Sequence, residues 1–415
     1  MYIDENGNLS VRRNGWTSPT WKYSYYGYNK MKYAFSTVCE DAIAKNVTGT
    51  VTDADGNPLE GVSVIGYYGT YQDTQVTGEM TTGADGSYTL DFPVDAEYTF
   101  CYVKDGYNAV EKKVSVDAST TTLGTVVMQS GVGIASGSCG TIQWTVSAEG
   151  VMTVSGEGAF DSNAIVEDMI VVIKSLVNTV VLEEGITRMR WSSSYDKFEP
   201  QKLILSKTVT ILDESFWRGY EECSIEVDAE NPVFAAEDGV LFSKDKTVLI
   251  RYPIRREIQE YSIPNGVQTI SAYAFYHAWL RNVVIPESVR TIGTEAFWNA
   301  STLKEVRIPA GVESIGKGAF SSCYSLVSIT VDDANQYYSV EDSVLYNKNK
   351  TVLVKYPEKK ADLTFAVPDS VERIEDFSNN GFLTEISLGS KVRDDADYFY
   401  GFKNLIRFTV AEDNP

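Results

Sequence analysis

The 415-residue sequence contains one histidine, His277, and that scarcity excludes much chemistry. A Ser-His-Asp hydrolase would have to depend on that single side chain. His277 falls in a slot that holds Asn299 and Ser322 at the next two repeats, which marks a surface loop. Cysteine is scarce as well. Cys39, Cys101, Cys139, Cys223 and Cys323 are odd in number, scattered, and never in C-x-x-C spacing. They frame neither a disulfide scaffold nor a zinc site. Basic excess is missing: 57 acidic against 36 basic side chains leave a formal charge of −21. Such a surface repels nucleic acid and anionic membrane. No apolar run reaches membrane-spanning length, and the N-terminus lacks the core of a signal peptide. Nucleophile elbow, phosphate loop and metal-binding cluster are all wanting. The acidic pairs Glu183/Glu184, Glu221/Glu222, Asp332/Asp333 and Asp394/Asp395 are adjacent in sequence and read as turns, not as carboxylates facing across a cleft. No catalytic residue, cofactor or metal site is nominated.

What the chain does have is repetition. YSIPNGVQTISAYAFYHAWL, RNVVIPESVRTIGTEAFWNASTL and KEVRIPAGVESIGKGAFSSCYSL follow one another, with Ile-Pro steps at Ile263, Ile285 and Ile308. The spacings are 285 − 263 = 22 and 308 − 285 = 23 residues. A period in the twenties is one supersecondary unit stacked on copies of itself. Tyr261/Ile263, Val283/Ile285 and Val306/Ile308 alternate as one inward face of a strand. Proline then ends the ladder, having no N–H to donate. Val267/Ile270, Val289/Ile292 and Val312/Ile315 give a second apolar pair, and Gly293 or Gly316 a turn. Ala274-Phe275, Ala296-Phe297 and Ala319-Phe320 put a small residue beside a ring between coils. Cys323, in the slot of Ala300 and Ala278, is expected to pack as a small buried residue. These positions specify a solenoid and say nothing of chemistry.

The pattern L-x-x-V-x-I-P-x-S-V-x-x-I-G-x-x-A-F resembles the BspA-like leucine-rich repeats of bacterial surface proteins. That resemblance implies a right-handed solenoid with a period of about 23 and a non-catalytic role in adhesion or surface recognition. It also implies an extracellular or cell-surface location, although signal and anchor are absent from the sequence. Upstream, residues 47–128 alternate around Asp-Gly turns, as in VTGTVTDADGNPLEGVSVIGYY and MTTGADGSYTLDFP, and read as a separate all-β sandwich. The sequence G-T-V-T-D-x-x-G-x-P-L-x-G-V-x-V, then D-G-x-Y-x-L, resembles the carboxypeptidase regulatory-like domain. It implies a seven-stranded transthyretin-like sandwich without a peptidase site. Asp53, Asp55 and Asn57 alternate as calcium-loop oxygens would, but the remaining ligands are missing and a tight turn is the preferred reading.

The fold expected is therefore mainly β. Residues 1–46 form an aromatic-rich segment, 47–128 the sandwich, 129–178 a cap over the first coil, and 179–415 the repeats. AIVEDMIVVIKSLV within the cap reads equally as a short helix or as a first coil. Two insertions, 227–253 and 331–357, lie 331 − 227 = 104 residues apart and read as β-hairpins, with Lys244, Lys246, Lys348 and Lys350 as solvated turn residues. VAEDNP at the end matches the start of a third insertion, so the natural protein is expected to continue.

Two surfaces are nominated for binding. Alternation projects Lys202, Ile204, Glu226, Glu260, Ser262, Glu385, Ser387, Arg407 and Thr409 outward with the central set Asn282, Val284, Glu305, Arg307, Ser328 and Thr330. That central set is the candidate protein-binding face. Trp16, Trp21, Tyr25 and Tyr28 form a candidate glycan-stacking platform, with an apolar packing flap preferred over it. The expected partners of this monomer are extracellular or host-surface proteins, with glycans as the alternative. A rigid spacer is the third reading.

Overall fold

The structure is a computed structural model that describes residues 2–3, 9–10, 43–68, 75–93, 96–117, 119–162, 176–190, 200–213, 223–253, 258–393 and 400–411. Trp16, Trp21, Tyr25, Tyr28, the AIVEDMIVVIK run and Cys39 lie outside them. Nearly all regular structure among the described residues is strand.

The first module is a β-sandwich of seven strands. One sheet runs Ser87–Pro93, Ile43–Thr52, Thr122–Val127, and the other Gln75–Thr81, Ser63–Tyr68, Ala96–Lys104, Tyr107–Val116. Val47, Val51, Val64, Phe100 and Val126 fill the space between the sheets, and the buried Tyr88 and Tyr102 hydroxyls pair at 2.7 Å. The Asp53 carboxylate is consumed by its own turn. Its Oδ1 accepts from the Asp55 and Asn57 N–H groups at 2.9 and 2.8 Å, and its Oδ2 from Asn57 Nδ2 at 2.9 Å.

The sandwich is less separate than its sequence suggests. Ile65, Cys101 and Val103 on its outer face belong to the same apolar cluster as Ile134, Ile142 and Trp144 of the next segment. That next segment supplies antiparallel strands Ala135–Cys139, Ile142–Val146 and Val151–Gly156. The last of them pairs in parallel with Thr179–Leu182, and the sheet continues through Lys202–Leu205 and Ser224–Val227. An antiparallel start thus covers the first coil, whose apolar edge would otherwise meet water.

Further on, Glu260–Ser262, Asn282–Val284, Glu305–Ile308 and Ser328–Val331 form a parallel sheet. Thr269–Ile270, Thr291–Ile292 and Ser314–Ile315 form a second. Register partners Asn282↔Glu305 and Glu305↔Ser328 give 305 − 282 = 23 and 328 − 305 = 23, the period of the text. The inward residues are buried as expected, including Val283, Ile285, Val306, Ile308, Val289 and Ile292. A Cβ on Gly293 would stand 2.4 Å from the Ala272 nitrogen, and one on Gly316 2.3 Å from the Thr294 nitrogen. These glycines are required by the close approach of successive coils. At the turn after Ala-Phe, His277, Asn299, Ser322 and Asn379 all have positive φ, at 61°, 54°, 60° and 56°. Asparagine tolerates that region better than most side chains.

Phe275, Phe297 and Phe320 stack along the solenoid at 4.7 and 5.3 Å. Tyr252, from the first insertion, extends the ladder at 5.1 Å from Phe275, and Tyr356 opens another at 4.6 Å from Phe377. The insertions therefore stand in for coils in the core. Each is a three-stranded antiparallel meander: Phe234–Glu237, Val240–Ser243, Val248–Arg251, then Tyr338–Glu341, Val344–Asn347, Val352–Lys355. Their lysines lie at the solvated hairpin turns, as expected, and each also reaches a partner. Lys246 Nζ meets Glu237 at 2.6 Å and Lys350 Nζ meets Glu341 at 2.7 Å. Lys244 Nζ donates to Ala229 O at 2.7 Å, and Lys348 Nζ to Asn335 O at 2.5 Å. Cys323 is fully buried among the coils, and burial pushes the Cys101 and Cys223 thiols up to about 12.

Candidate recognition surface

Alternation in four successive strands turns one row of side chains out. The burial patterns of Glu260–Ser262, Asn282–Val284, Glu305–Ile308 and Ser328–Val331 put Tyr261, Val283, Val306 and Ile329 inward. Their neighbours Glu260, Ser262, Asn282, Val284, Glu305, Arg307 and Thr330 are exposed, and Ser328 is half-buried. All six nominated protein-facing residues therefore share one sheet face. They differ in how free they are. Arg307 is committed: its Nη1 meets Glu287 Oε1 at 2.9 Å and its Nη2 meets Asp332 Oδ2 at 2.5 Å. The Glu287 carboxylate, acting through these bonds, raises the guanidinium pKa further. Lys202 and Glu226 form a similar rung at 2.8 Å. Val284, at 52% exposure, is the one large apolar side chain on this central face that stands clear in water.

Nearer the first coils the same face sinks into an open hollow of about 570 Å³. Val181 and Ile204 form its floor, and Glu183, Glu184, Glu226 and Asp228 its rim. Lys207 bridges outward to Glu184 at 2.9 Å and Glu230 at 3.6 Å. Among the described residues, no group of three or more His, Cys, Asp or Glu side chains is placed to hold a metal ion.

The feature that sequence reasoning missed lies beside this face, where each coil turns into its strand. Trp279, Tyr324, Val327, Leu363 and Phe382 sit in those approaches, at 41%, 46%, 48%, 64% and 38% exposure. Trp279 and Phe382 lie three residues before Asn282–Val284 and Glu385–Leu388, Tyr324 and Val327 four and one before Ser328–Val331, and Leu363 one before Thr364–Ala366, so the five are spread over two parallel sheets. The Lys359 ammonium lies 5.6 Å from the Phe382 ring centroid. The signal was present in the sequence as large apolar residues at Trp279, Tyr324 and Phe382 where other repeats have Ser301, Thr302 and Ser325, and at Val327 and Leu363 where they have Arg281, Lys304 and Thr384. At the neighbouring turn, His277 is not a loose surface histidine. It is half-buried against Tyr276 and Trp298, with ring centroids at 4.3 and 5.2 Å.

Comparison with known proteins matches both modules. Residues 255–363 fit the model of the BspA type leucine-rich repeat region in six copies, and residues 46–129 that of the carboxypeptidase regulatory-like domain. The chain carries both modules. Among solved structures, a leucine-rich repeat protein from Eubacterium ventriosum is 25% identical, with a TM-score of 0.36. The match covers 65% of this chain and 66% of that one. A leucine rich cell surface protein from Faecalibacterium prausnitzii is 18% identical over 66% of this chain and 72% of its own, at TM-score 0.35. The pneumococcal vaccine antigen PcpA is 14% identical over 66% and 78%, at 0.32. No curated protein matches the chain. No helix among the described residues is long and apolar enough to cross a membrane.

Proposed function

We propose that this BspA-type repeat protein is a non-catalytic recognition module of a bacterial surface, binding extracellular or host-surface proteins through its solenoid. The observation that carries the reading is the exposure of Trp279, Tyr324, Val327, Leu363 and Phe382 in the approaches to strands whose outward face is mixed polar. Large exposed apolar side chains cost solubility and are common where another protein docks. Large rings flanked by charge have the composition of interface anchors. The ion-paired Arg307 row then serves as a rim that selects by charge, and the seven-stranded sandwich as a spacer.

The test is binding of the whole chain to arrayed extracellular-matrix proteins, mucins and glycans. Three variants run alongside: Trp279→Ala/Phe382→Ala, Glu305→Ala/Arg307→Ala, and deletion of residues 1–46. The expected result is protein binding that falls at least tenfold for Trp279→Ala/Phe382→Ala and less for Glu305→Ala/Arg307→Ala. Glycan binding that survives both substitutions but disappears with residues 1–46 would move recognition to the aromatic segment. No binding to any class would leave the spacer role.

A further inference from the structure

The second meander places three charged side chains inside the protein, away from the recognition surface. Lys355 closes the strand Val352–Lys355, Glu358 follows three residues later, and Asp376 lies two residues beyond the neighbouring strand Arg373–Ile374. All three side chains are buried to within 2% exposure. Lys355 Nζ donates to Glu358 Oε1 at 2.7 Å and to Asp376 Oδ2 at 2.8 Å. Ser321 Oγ donates to the same Asp376 Oδ2 at 2.6 Å, and Ser378 Oγ to Oδ1 at 3.0 Å. Glu358 Oε2 has no hydrogen-bond partner among the described residues.

The fold does not demand these groups. The Tyr356 N–H donates to Asp376 O at 3.0 Å, just as the Tyr252 N–H, 356 − 252 = 104 residues earlier, donates to Ala274 O at 2.8 Å. Asp376 thus occupies the small-residue slot of the Ala-Phe pair. Lys355 occupies the slot of Arg251, whose Nη1 donates to the Tyr273 carbonyl at 2.9 Å. An amine and a carboxylate have been set face to face in the slots that hold Arg251 and Ala274 in the earlier block. Two carboxyls for one amine is an expensive interior, because attraction repays the desolvation of buried ions only in part. Burial pushes the Glu358 carboxyl up to about 7 against the pull of Lys355, so it can both hold and release a proton near neutrality. Burial alone would lower the Lys355 pKa, but Asp376 and then Glu358 raise it overall, so the resting amine is an ammonium.

We propose that Lys355 and Asp376 condense into an intramolecular amide, with Glu358 as the proton relay. The Lys355 Nζ lone pair bonds to Asp376 Cγ, one Cγ–Oδ bond breaks, and that oxygen leaves as water. Ammonium and carboxylate together supply both protons and the oxygen, so no oxidant, cofactor or activating group is required. The first proton crosses the 2.8 Å contact directly to Asp376, which frees the lone pair. Glu358 takes the second from the attacking nitrogen and returns it to the departing hydroxyl. The Ser378 hydroxyl already donates to Oδ1, the oxygen that gains charge in the tetrahedral intermediate, and the Ser321 hydroxyl holds Oδ2, the oxygen that takes the first proton and departs. Fixed contact removes the entropic cost of bringing the groups together. The product removes both buried charges and ties the meander to the next coil, across 376 − 355 = 21 residues of chain.

The test is the intact mass of the purified full chain after denaturation. The expected value lies one water below the sequence mass, and a proteolytic digest contains a branched peptide joining Lys355 to Asp376. Lys355→Arg and Asp376→Ala restore the full mass. Glu358→Gln, which preserves shape, leaves folded chain at full mass or forms the bond far more slowly. A folded wild-type chain that stays at full mass after long incubation at neutral pH would overturn the proposal. So would a water loss that maps to another site, such as a succinimide at an Asp-Gly step.

Discussion

At the residue scale, side chains a few positions apart along one coil carry very different weight. Phe297 is buried and stacked on both sides, by Phe275 at 4.7 Å and Phe320 at 5.3 Å. Phe297→Ala opens a cavity between coils that cannot collapse without shifting both neighbours, and it should cost about 3–5 kcal/mol. Glu305 and Arg307 are exposed, and replacing either should cost less than about 1 kcal/mol, because surface ion pairs are screened and entropically expensive. Denaturant melts of the three variants check this. Equal, small losses would mean that the coil register is misassigned. The sequence distinguished these residues because inward and outward positions alternate. It could not show that Arg307 is held by Glu287 and Asp332 from neighbouring coils, since those partners sit 307 − 287 = 20 and 332 − 307 = 25 residues away.

At the scale of the element, the insertions are fastened by buried asparagines. Asn335 Nδ2 donates to Pro309 O at 2.8 Å and Val312 O at 3.0 Å, while its Oδ1 accepts from the Tyr337 and Tyr338 N–H groups, both at 2.8 Å. Asn231, 335 − 231 = 104 residues earlier, makes the equivalent bonds to Ser206, Val209, Val233 and Phe234. Truncation leaves buried backbone groups without partners. Asn335→Ala should therefore cost about 3 kcal/mol or more, the penalty of several unmet hydrogen bonds, and a thermal melt reads it directly. In the sequence these residues read only as the polar part of VDAENP and VDDANQ. A hydrophobicity pattern marks what is buried by being apolar, so a fully paired buried asparagine looks like a loop residue.

At the scale of the molecule, the 104-residue offset is architectural. Ser224–Val227 recurs as Ser328–Val331, Val248–Arg251 as Val352–Lys355, and Glu260–Ser262 as Thr364–Ala366. Each block of coils touches mainly its neighbours, so its stability is set by adjacent interfaces. In Phe297→Ala, hydrogen exchange should accelerate between Glu260 and Val331 while amides of Ala96–Lys104 and Tyr107–Val116 keep their protection. Loss spread evenly over the chain would mean that sandwich and coils unfold as one unit.

The sequence by itself determined the solenoid, its period, the outward row and the hairpins of the two insertions, though not the third strand that makes each a meander. These follow from local periodicity, which is written into consecutive residues as alternation and spacing. Tertiary structure decided what depends on neighbours remote in the chain. It joined the sandwich and the first coils in one apolar cluster, with Ile65 and Cys101 beside Ile134. It left Trp279, Tyr324 and Phe382 exposed where coils turn into strands, because the core had no room for them there. It also brought Ser321, Lys355, Glu358, Asp376 and Ser378 into one buried cluster. No spacing rule marks that encounter, because it rests on substitutions within the repeat and not on the repeat itself.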